Sequence, residues 1–318
     1  MVYTKNLILV CTGRDTTKAA SLGMPVLQLC LGISPSGALQ RLKVSAVQRH
    51  CLLGVTDPPQ AINFCSAERI AADLVFEARR TEAPGVFADF EHDTPLNRRL
   101  LAAFDEALYD ADIPLYVPLE CGRTLSHAIL TVSTAISGGS LTEYISSLQG
   151  IYGAARIAAF LQPVSQDFTL PSPTPNGVSL SAAARAALLA QTGAQPFFSR
   201  ELCAKYFTYM NADGQAHFVL YDDDSTLAAK LAQLAGCGVQ NVFALFPDAA
   251  GLLKPQTYSV VICAVVARTS LMRSAGAHSI WKPILPAETI TVGTLFTLSS
   301  NTVGNAFFMP TGEQPPRT

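Results

Sequence analysis

Pro84-Gly85-Val86-Phe87-Ala88-Asp89-Phe90-Glu91 is an apolar run of strand length that closes on two carboxylates one residue apart. Side chains of a strand alternate between its faces, so Phe87, Asp89 and Glu91 share one side and Val86, Ala88 and Phe90 the other. In a parallel barrel the acidic side points inward at the carboxyl end of the strand, where barrel enzymes carry their chemistry. Glu91 is then a candidate general acid, with Asp89 beside it.

The flanking sequence supports such a barrel. Leu7-Cys11, Val26-Ile33, Cys51-Thr56, Pro114-Leu119, Ala158-Pro163, His217-Tyr221 and Asn241-Phe246 are further strand-like runs, which with Val86-Glu91 make the eight of a closed barrel. Ser66 to Arg80, Leu96 to Tyr109, Leu141 to Tyr152, Ser181 to Gln191 and Ser225 to Ala235 read as helices. Ser66 stands where an N-cap hydroxyl is needed, and Gly236 where a left-handed C-cap falls. The expectation is an α/β fold, a (β/α)8 TIM barrel over residues 1–250. Proline-rich Pro163 to Ser181 is expected to be a long loop after the sixth strand, shaping the cleft. Beyond about residue 250 the rhythm changes: Tyr258-Ala267, Thr289-Thr297 and Asn305-Met309 are β-prone, predicting a β-rich C-terminal extension over 251–318.

Composition narrows the class. The 318 residues suffice for a barrel of roughly 250 plus an extension. With 49% hydrophobic and 14% charged residues, the chain fills an interior and does not read as disordered. A net charge of -2 offers no electrostatic footing for nucleic acid, and a neutral glycan suits it at least as well. The eight cysteines are scattered singly through apolar runs without a C-x-x-C pair, which predicts reduced, buried thiols in a reducing compartment instead of disulfides or a zinc site. Asn6 to Thr12 is too short for a secretory signal, and Val260 to Ala267 falls far short of the about 20 residues of a membrane span. A soluble chain with no signal peptide, transmembrane segment or membrane partner is expected. The five histidines come without a nucleophile elbow, and Gly138-Gly139 and Gly150-Ile151-Tyr152-Gly153 do not form a phosphate loop after a strand.

Two further positions are read from the residues themselves. Glu120 ends the fifth-strand run Leu115 to Glu120 as either a ligand-facing carboxylate or a helix-capping one. In Tyr221-Asp222-Asp223-Asp224-Ser225 the consecutive acids are too close in sequence to converge on one ion, so helix capping explains them better than a metal cluster. Tyr221 and Asp222 still border the expected cleft. His92 alternates away from Glu91, into packing or a supporting position.

The same stretch resembles glycoside hydrolase family 18, in the branch of spore-germination and cortex-degrading N-acetylglucosaminidases. That family's fourth strand reads D-G-x-D-x-D-x-E; Gly85, Asp89 and Glu91 match it, while Pro84 and Phe87 depart. A second block is similar to the branch's seventh strand and helix: Tyr206-Phe207-Thr208-Tyr209, Asn211-Ala212-Asp213-Gly214, His217 to Ser225, Lys230, and Gly236-Cys237-Gly238-Val239-Gln240. Weaker similarity runs from about residue 5 to 250.

The resemblance implies substrate-assisted retaining hydrolysis of β-linked N-acetylglucosamine in peptidoglycan, spore cortex or a chitin-like glycan, without a metal or organic cofactor. Glu91 would protonate the glycosidic oxygen, and Asp89 would hold the 2-acetamido group and raise the acid's pKa. A cytoplasmic or spore-associated location is expected, with the reduced cysteines and the lack of a signal sequence pointing to the first and the resemblance to the second. The departures have consequences too. Phe87 shortens any carboxylate relay. The family's sixth-strand tyrosine has no counterpart in Gln162 to Phe168, leaving Gln162 or Asp167 as the polar contact, and the eighth-strand tryptophan is missing from Val242 to Phe246. Trp281 lies outside the matched region. These losses point to the competing expectation, a degenerate barrel that binds a glycan or serves as a spore-associated structural protein.

Overall fold

The computed structural model of the chain describes residues 6–12, 15–42, 48–59, 66–171 and 177–253. The strand runs expected of the C-terminal extension fall in 254–318, outside the described residues. The elements begin with β1 (Leu7–Cys11), α1 (Asp15–Ala20), β2 (Val26–Ile33), β3 (Leu39–Arg41), β4 (Leu52–Thr56), α2 (Ala67–Thr81), β5 (Val86–Asp89) and α3 (Pro95–Asp110). There follow β6 (Leu115–Pro118), α4 (Leu119–Gly122), β7 (Ile129–Ser133), α5 (Leu141–Tyr152) and β8 (Ile157–Phe160). The remainder is β9 (Ser165–Leu170), β10 (Val178–Ser179), α6 (Ala182–Thr192), β11 (Phe197–Ser199), β12 (Ala204–Met210), β13 (Ala216–Tyr221), α7 (Asp224–Gly236), β14 (Val242–Leu245) and α8 (Phe246–Ala249).

Strands β1, β2, β4, β5, β6, β7, β8 and β14 lie side by side in parallel, and β14 pairs back onto β1 to close an eight-stranded TIM-like barrel. The short β3 adds antiparallel to the end of β2. Alternation along the strands fills the interior with Ile8, Val10, Leu27, Leu52, Phe87, Tyr116, Ala158 and Phe243. Phe243 receives Phe87 at 5.1 Å and Tyr116 at 5.0 Å, both edge to face. Gly54 stands opposite Phe87 in register; a Cβ there would lie 2.4 Å from Leu29 Cδ2 and 3.0 Å from Leu29 Cα, so glycine lets β4 and β2 approach. Val86, Ala88 and Phe90 face the other way, packing with Leu74 and Ala78 of α2 and Leu100 and Phe104 of α3.

The helices start where short oxygen-bearing side chains meet orphan amides. Ser66 accepts from Arg69 N, Thr94 from Asn97 N ahead of Pro95, and Asp223 from Ser225 N and Thr226 N in a capping box. Helix α7 ends one step later than expected: Gly236 is its last residue and Gly238, at φ +75°, is the left-handed one. Cys11, Cys30, Cys51, Cys121 and Cys203 are buried free thiols, and burial pushes those of Cys11 and Cys30 up to about 12. No helix among the described residues is long and apolar enough to cross a membrane.

Two strands differ from the sequence expectation. The sixth barrel strand is β7, Ile129–Ser133, so the run at Ala158-Pro163 supplies the seventh, and His217-Tyr221 is not a barrel strand. Strand β7 escapes the rhythm because only the single turn α4 separates it from β6, and its apolar run is broken by Thr131 and Ser133. His217-Tyr221 belongs to β13, in a separate antiparallel sheet ordered β10-β9-β13-β12-β11 and inserted between β8 and α7. It reads like a barrel strand because both faces of that sheet are covered. Phe218 and Leu220 pack with Phe168 and Ala204, while Val219 and Tyr221 pack with Phe207 and with Leu188 and Leu189 of α6. The expected loop from Pro163 to Ser181 accordingly contains β9 and β10, with residues 172–176 outside the described ones.

A fully buried ion pair joins this insertion to the barrel. Lys230 Nζ of α7 lies 2.6 Å from Asp222 Oδ2 and donates to the carbonyl of Thr134, just past β7, at 3.0 Å. Asp222 also accepts from Val164 N at 2.8 Å and from Thr226 Oγ1 at 2.7 Å. Lys230→Met would strand the Asp222 carboxylate in a dry site and is expected to cost about 3–5 kcal/mol of stability. Denaturant unfolding should register that loss, with Asp222→Asn in the same chain recovering part of it.

Candidate active site at the carboxyl end of the barrel

Strand β5 delivers Asp89 by the alternation that builds the core. Phe87 is inside the barrel and Val86, Ala88 and Phe90 are against the helices, so Asp89, the last residue of the strand, is on the inward side at the carboxyl end. Asp89 is partly buried and Glu91 is exposed. Burial holds the Asp89 carboxyl above the usual aspartate range, and the charges of Glu91 and then Asp57 push in the same direction. Three carboxylates therefore share one electrostatic neighbourhood, in which adding a negative charge to Asp89 is disfavoured.

Asp57, the residue after β4, organises the segment that carries Glu91. Its Oδ2 accepts the backbone N–H of Glu91 at 2.9 Å and lies 3.0 Å from His92 Nδ1. Its Oδ1 accepts from Asn97 Nδ2 at 2.7 Å, and the same amide donates to the carbonyl of His92 at 2.7 Å. Asn97 is buried in the first turn of α3. The hydrogen bond to Asp57 raises the His92 pKa, helped by the Asp57 charge and then by Glu91. The charged imidazolium is thus the better-held form: its contribution is full below the ordinary histidine range and fades as pH climbs through the raised value. Sequence reading passed over Asp57 and Asn97, although Asp57 follows the Cys51-Thr56 run directly and so satisfies the carboxyl-end rule that singled out Asp89.

The other candidate residues are dispersed. Glu120 is exposed in the first turn of α4 and adds its charge to the neighbourhoods of Cys121 and Tyr144. Gln162 is exposed past β8, its Oε1 accepting from Ser133 Oγ at 2.9 Å, and its backbone N–H donates to Thr134 Oγ1 at 3.2 Å. It therefore joins the ends of β7 and β8 at the rim. With the sixth strand reassigned, Ser133-Thr134 stand at its end, and tyrosine is again lacking there.

Asp167 lies within the inserted sheet, where Oδ2 accepts from Tyr209 Oη at 2.6 Å and Oδ1 lies 2.9 Å from His217 Nδ1. Both oxygens are occupied, and the Tyr209 phenol is pushed up to about 12 by burial and then by Asp167. Tyr221, expected at the cleft, is instead buried in that sheet beneath Arg185, whose guanidinium carbon is 4.4 Å from the ring centre. Asp222, expected beside it, is the buried partner of Lys230. The structure thus places both in packing: Tyr221 because it ends β13, a middle strand of the inserted sheet, and Asp222, just past that strand, because it pairs with Lys230.

No family sequence model matches the chain, and no curated protein matches it in sequence. Solved structures do share its fold. A chitinase from Chromobacterium violaceum matches with a TM-score of 0.53 at 17% identity, over 78% of this chain and 96% of that one. The spore cortex-lytic enzyme SleL of Bacillus cereus matches at 0.52 and 15%, over 78% and 73% respectively. A glycoside hydrolase family 18 N-acetylglucosaminidase from Paenibacillus barengoltzii matches at 0.52 and 14%, over 78% and 97%. The chain thus shares its fold with a chitinase, a spore cortex-lytic enzyme and a family 18 N-acetylglucosaminidase.

Because the Asp89 pKa is raised on folding, its ionised form costs stability. That cost is absent below the ordinary aspartate range and appears as pH rises through the raised value. Asp89→Asn is expected to raise the thermal midpoint at neutral pH and to leave it unchanged at strongly acidic pH. Asp57→Asn should return His92 toward its ordinary pKa, a shift that histidine proton resonances followed across pH will measure.

Proposed function

We propose that the chain is a glycoside hydrolase that cleaves β-linked N-acetylglucosamine in peptidoglycan, spore cortex or a chitin-like glycan by substrate-assisted retaining hydrolysis. The observation that carries this reading is the Asp89–Glu91 pair at the mouth of a barrel of the family 18 fold, with Asp89 held toward its protonated form. Glu91, exposed to an incoming substrate, donates its proton to the glycosidic oxygen as that bond breaks. The substrate's own acetamido oxygen attacks the anomeric carbon, and Asp89 orients and steadies the acetamido N–H. Water then opens the oxazolinium-like intermediate while Glu91 takes back a proton. Asp57 is a positioning residue in this scheme: its bond to Glu91 N sets where the acid's backbone stands.

A second reading is supported by Phe87, which occupies with packed rings the place where the family pattern has an aspartate. Ser133-Thr134 at the sixth strand's end supports it as well. In that reading the barrel binds a glycan without cleaving it. The two diverge in one assay, the release of reducing ends from purified cortex or chitooligosaccharide. Glu91→Gln is expected to lower kcat/KM by about 10²- to 10⁴-fold with glycan binding retained. Binding without turnover in both wild type and variant would establish the non-catalytic reading, and turnover indifferent to the substitution would remove Glu91 from the role.

A further inference from the structure

At the opposite end of the barrel, a cavity of about 140 Å³ lies beside the starts of β6 and β7, lined by Asp105, Tyr109, Asp112, Pro114, His127 and Ile129. Asp105, near the end of α3, is only 3% exposed. Its Oδ2 accepts the backbone N–H groups of Ser126 at 2.9 Å and His127 at 3.1 Å. Its Oδ1 is buried and takes no hydrogen bond from the protein. A carboxylate oxygen removed from water without a donor is costly, and such atoms in native proteins ordinarily have a partner that the polypeptide does not supply.

The neighbours of the Asp105 carboxylate have the chemistry of such a partner's site. One ligand atom each from Asp105, Glu106 and His127 lie within 4.8 Å of one another. Tetrahedral bonds of about 2.0–2.2 Å to a zinc-sized cation place ligand atoms about 3.3–3.6 Å apart, so the side chains draw in around an ion to complete the arrangement. The Tyr109 ring stacks on His127 at 3.7 Å and 15°, fixing the plane of the imidazole. Glu106 and Tyr109 are exposed, which gives an ion an entry path and water access to the remaining coordination positions.

We propose that Asp105, Glu106 and His127 bind a divalent transition-metal cation, zinc or one of its neighbours, that ties the last turns of α3 to the segment entering β7. One imidazole nitrogen with two carboxylates is a borderline donor set that suits zinc, cobalt or nickel better than magnesium or calcium, which take oxygen alone. The site is at the amino-terminal end of the strands, where barrels are stabilised, and not at the end carrying Glu91. Its function is to hold the barrel together, independently of any glycan chemistry.

The test is titration of the metal-stripped full chain with Co²⁺, followed by visible absorption, and with Zn²⁺ in competition with a chromophoric chelator. The expected result is one equivalent bound, a cobalt spectrum without thiolate charge transfer, and a thermal midpoint raised by Zn²⁺ but not by Mg²⁺. Glu106→Gln, on the exposed side, and His127→Gln should each weaken binding by about tenfold or more; if His127→Gln fails to fold, Glu106→Gln decides alone. Absence of binding by both ions would assign the cavity to water and overturn the proposal. So would binding unchanged by Glu106→Gln, or a thiolate band marking the cysteines as ligands.

Discussion

The two-residue period of β5 inside a closed ring of strands is the constraint on which the rest depends. Val86, Ala88 and Phe90 are committed to the helices, so Phe87 must enter the interior and Asp89 must follow it at the mouth. A shift of one residue would exchange the two sets, burying carboxylates under α2 and α3 and exposing three apolar side chains to the barrel axis. The packing of Phe87 against Phe243 and Phe160 therefore does chemical service at a distance, because it holds the register that presents the acids.

The charges at the mouth are managed by geometry. Asp57 is a third carboxylate whose charge bears on Asp89 beside that of Glu91. Its own oxygens are occupied by the Glu91 amide, the His92 ring and the Asn97 side chain, which spreads its charge over donors. Asp89 is left with burial and like charge, which push it toward the neutral form. Past the carboxyl ends of β7 and β8 the same economy recurs. Asp222, Lys230, Thr226, Val164 and Thr134 satisfy one another in the dark interior and join the inserted sheet to the frame. Asp222 is thereby spent on structure.

Much of this was legible in the residues. Strands with strong apolar runs, helices opened by Ser66 and Asp223, and the inward side of Asp89 follow from local periods and capping chemistry, which neighbouring residues determine among themselves. Strand β7 was not legible, because Thr131 and Ser133 break its apolar run and the one-turn α4 before it removes the spacing cue. His217-Tyr221 misled for the converse reason. A strand covered on both faces looks alike whether helices or another layer of its own insertion cover it.

Sequence alone thus determined the class of fold and the inward side that Asp89 takes at the end of β5, since each rests on the geometry of a few consecutive residues. Tertiary structure decided which strands close the ring, that Tyr221 and Asp222 turn into packing, and that Asp57 and Asn97 support Glu91. Those outcomes hang on contacts between residues far apart along the chain, such as Asp57 with Glu91, Thr134 with Lys230 and, where β14 closes the ring onto β1, Leu7 with Val242. No local period encodes such pairings, because they form only when distant strands and helices are brought to the same place.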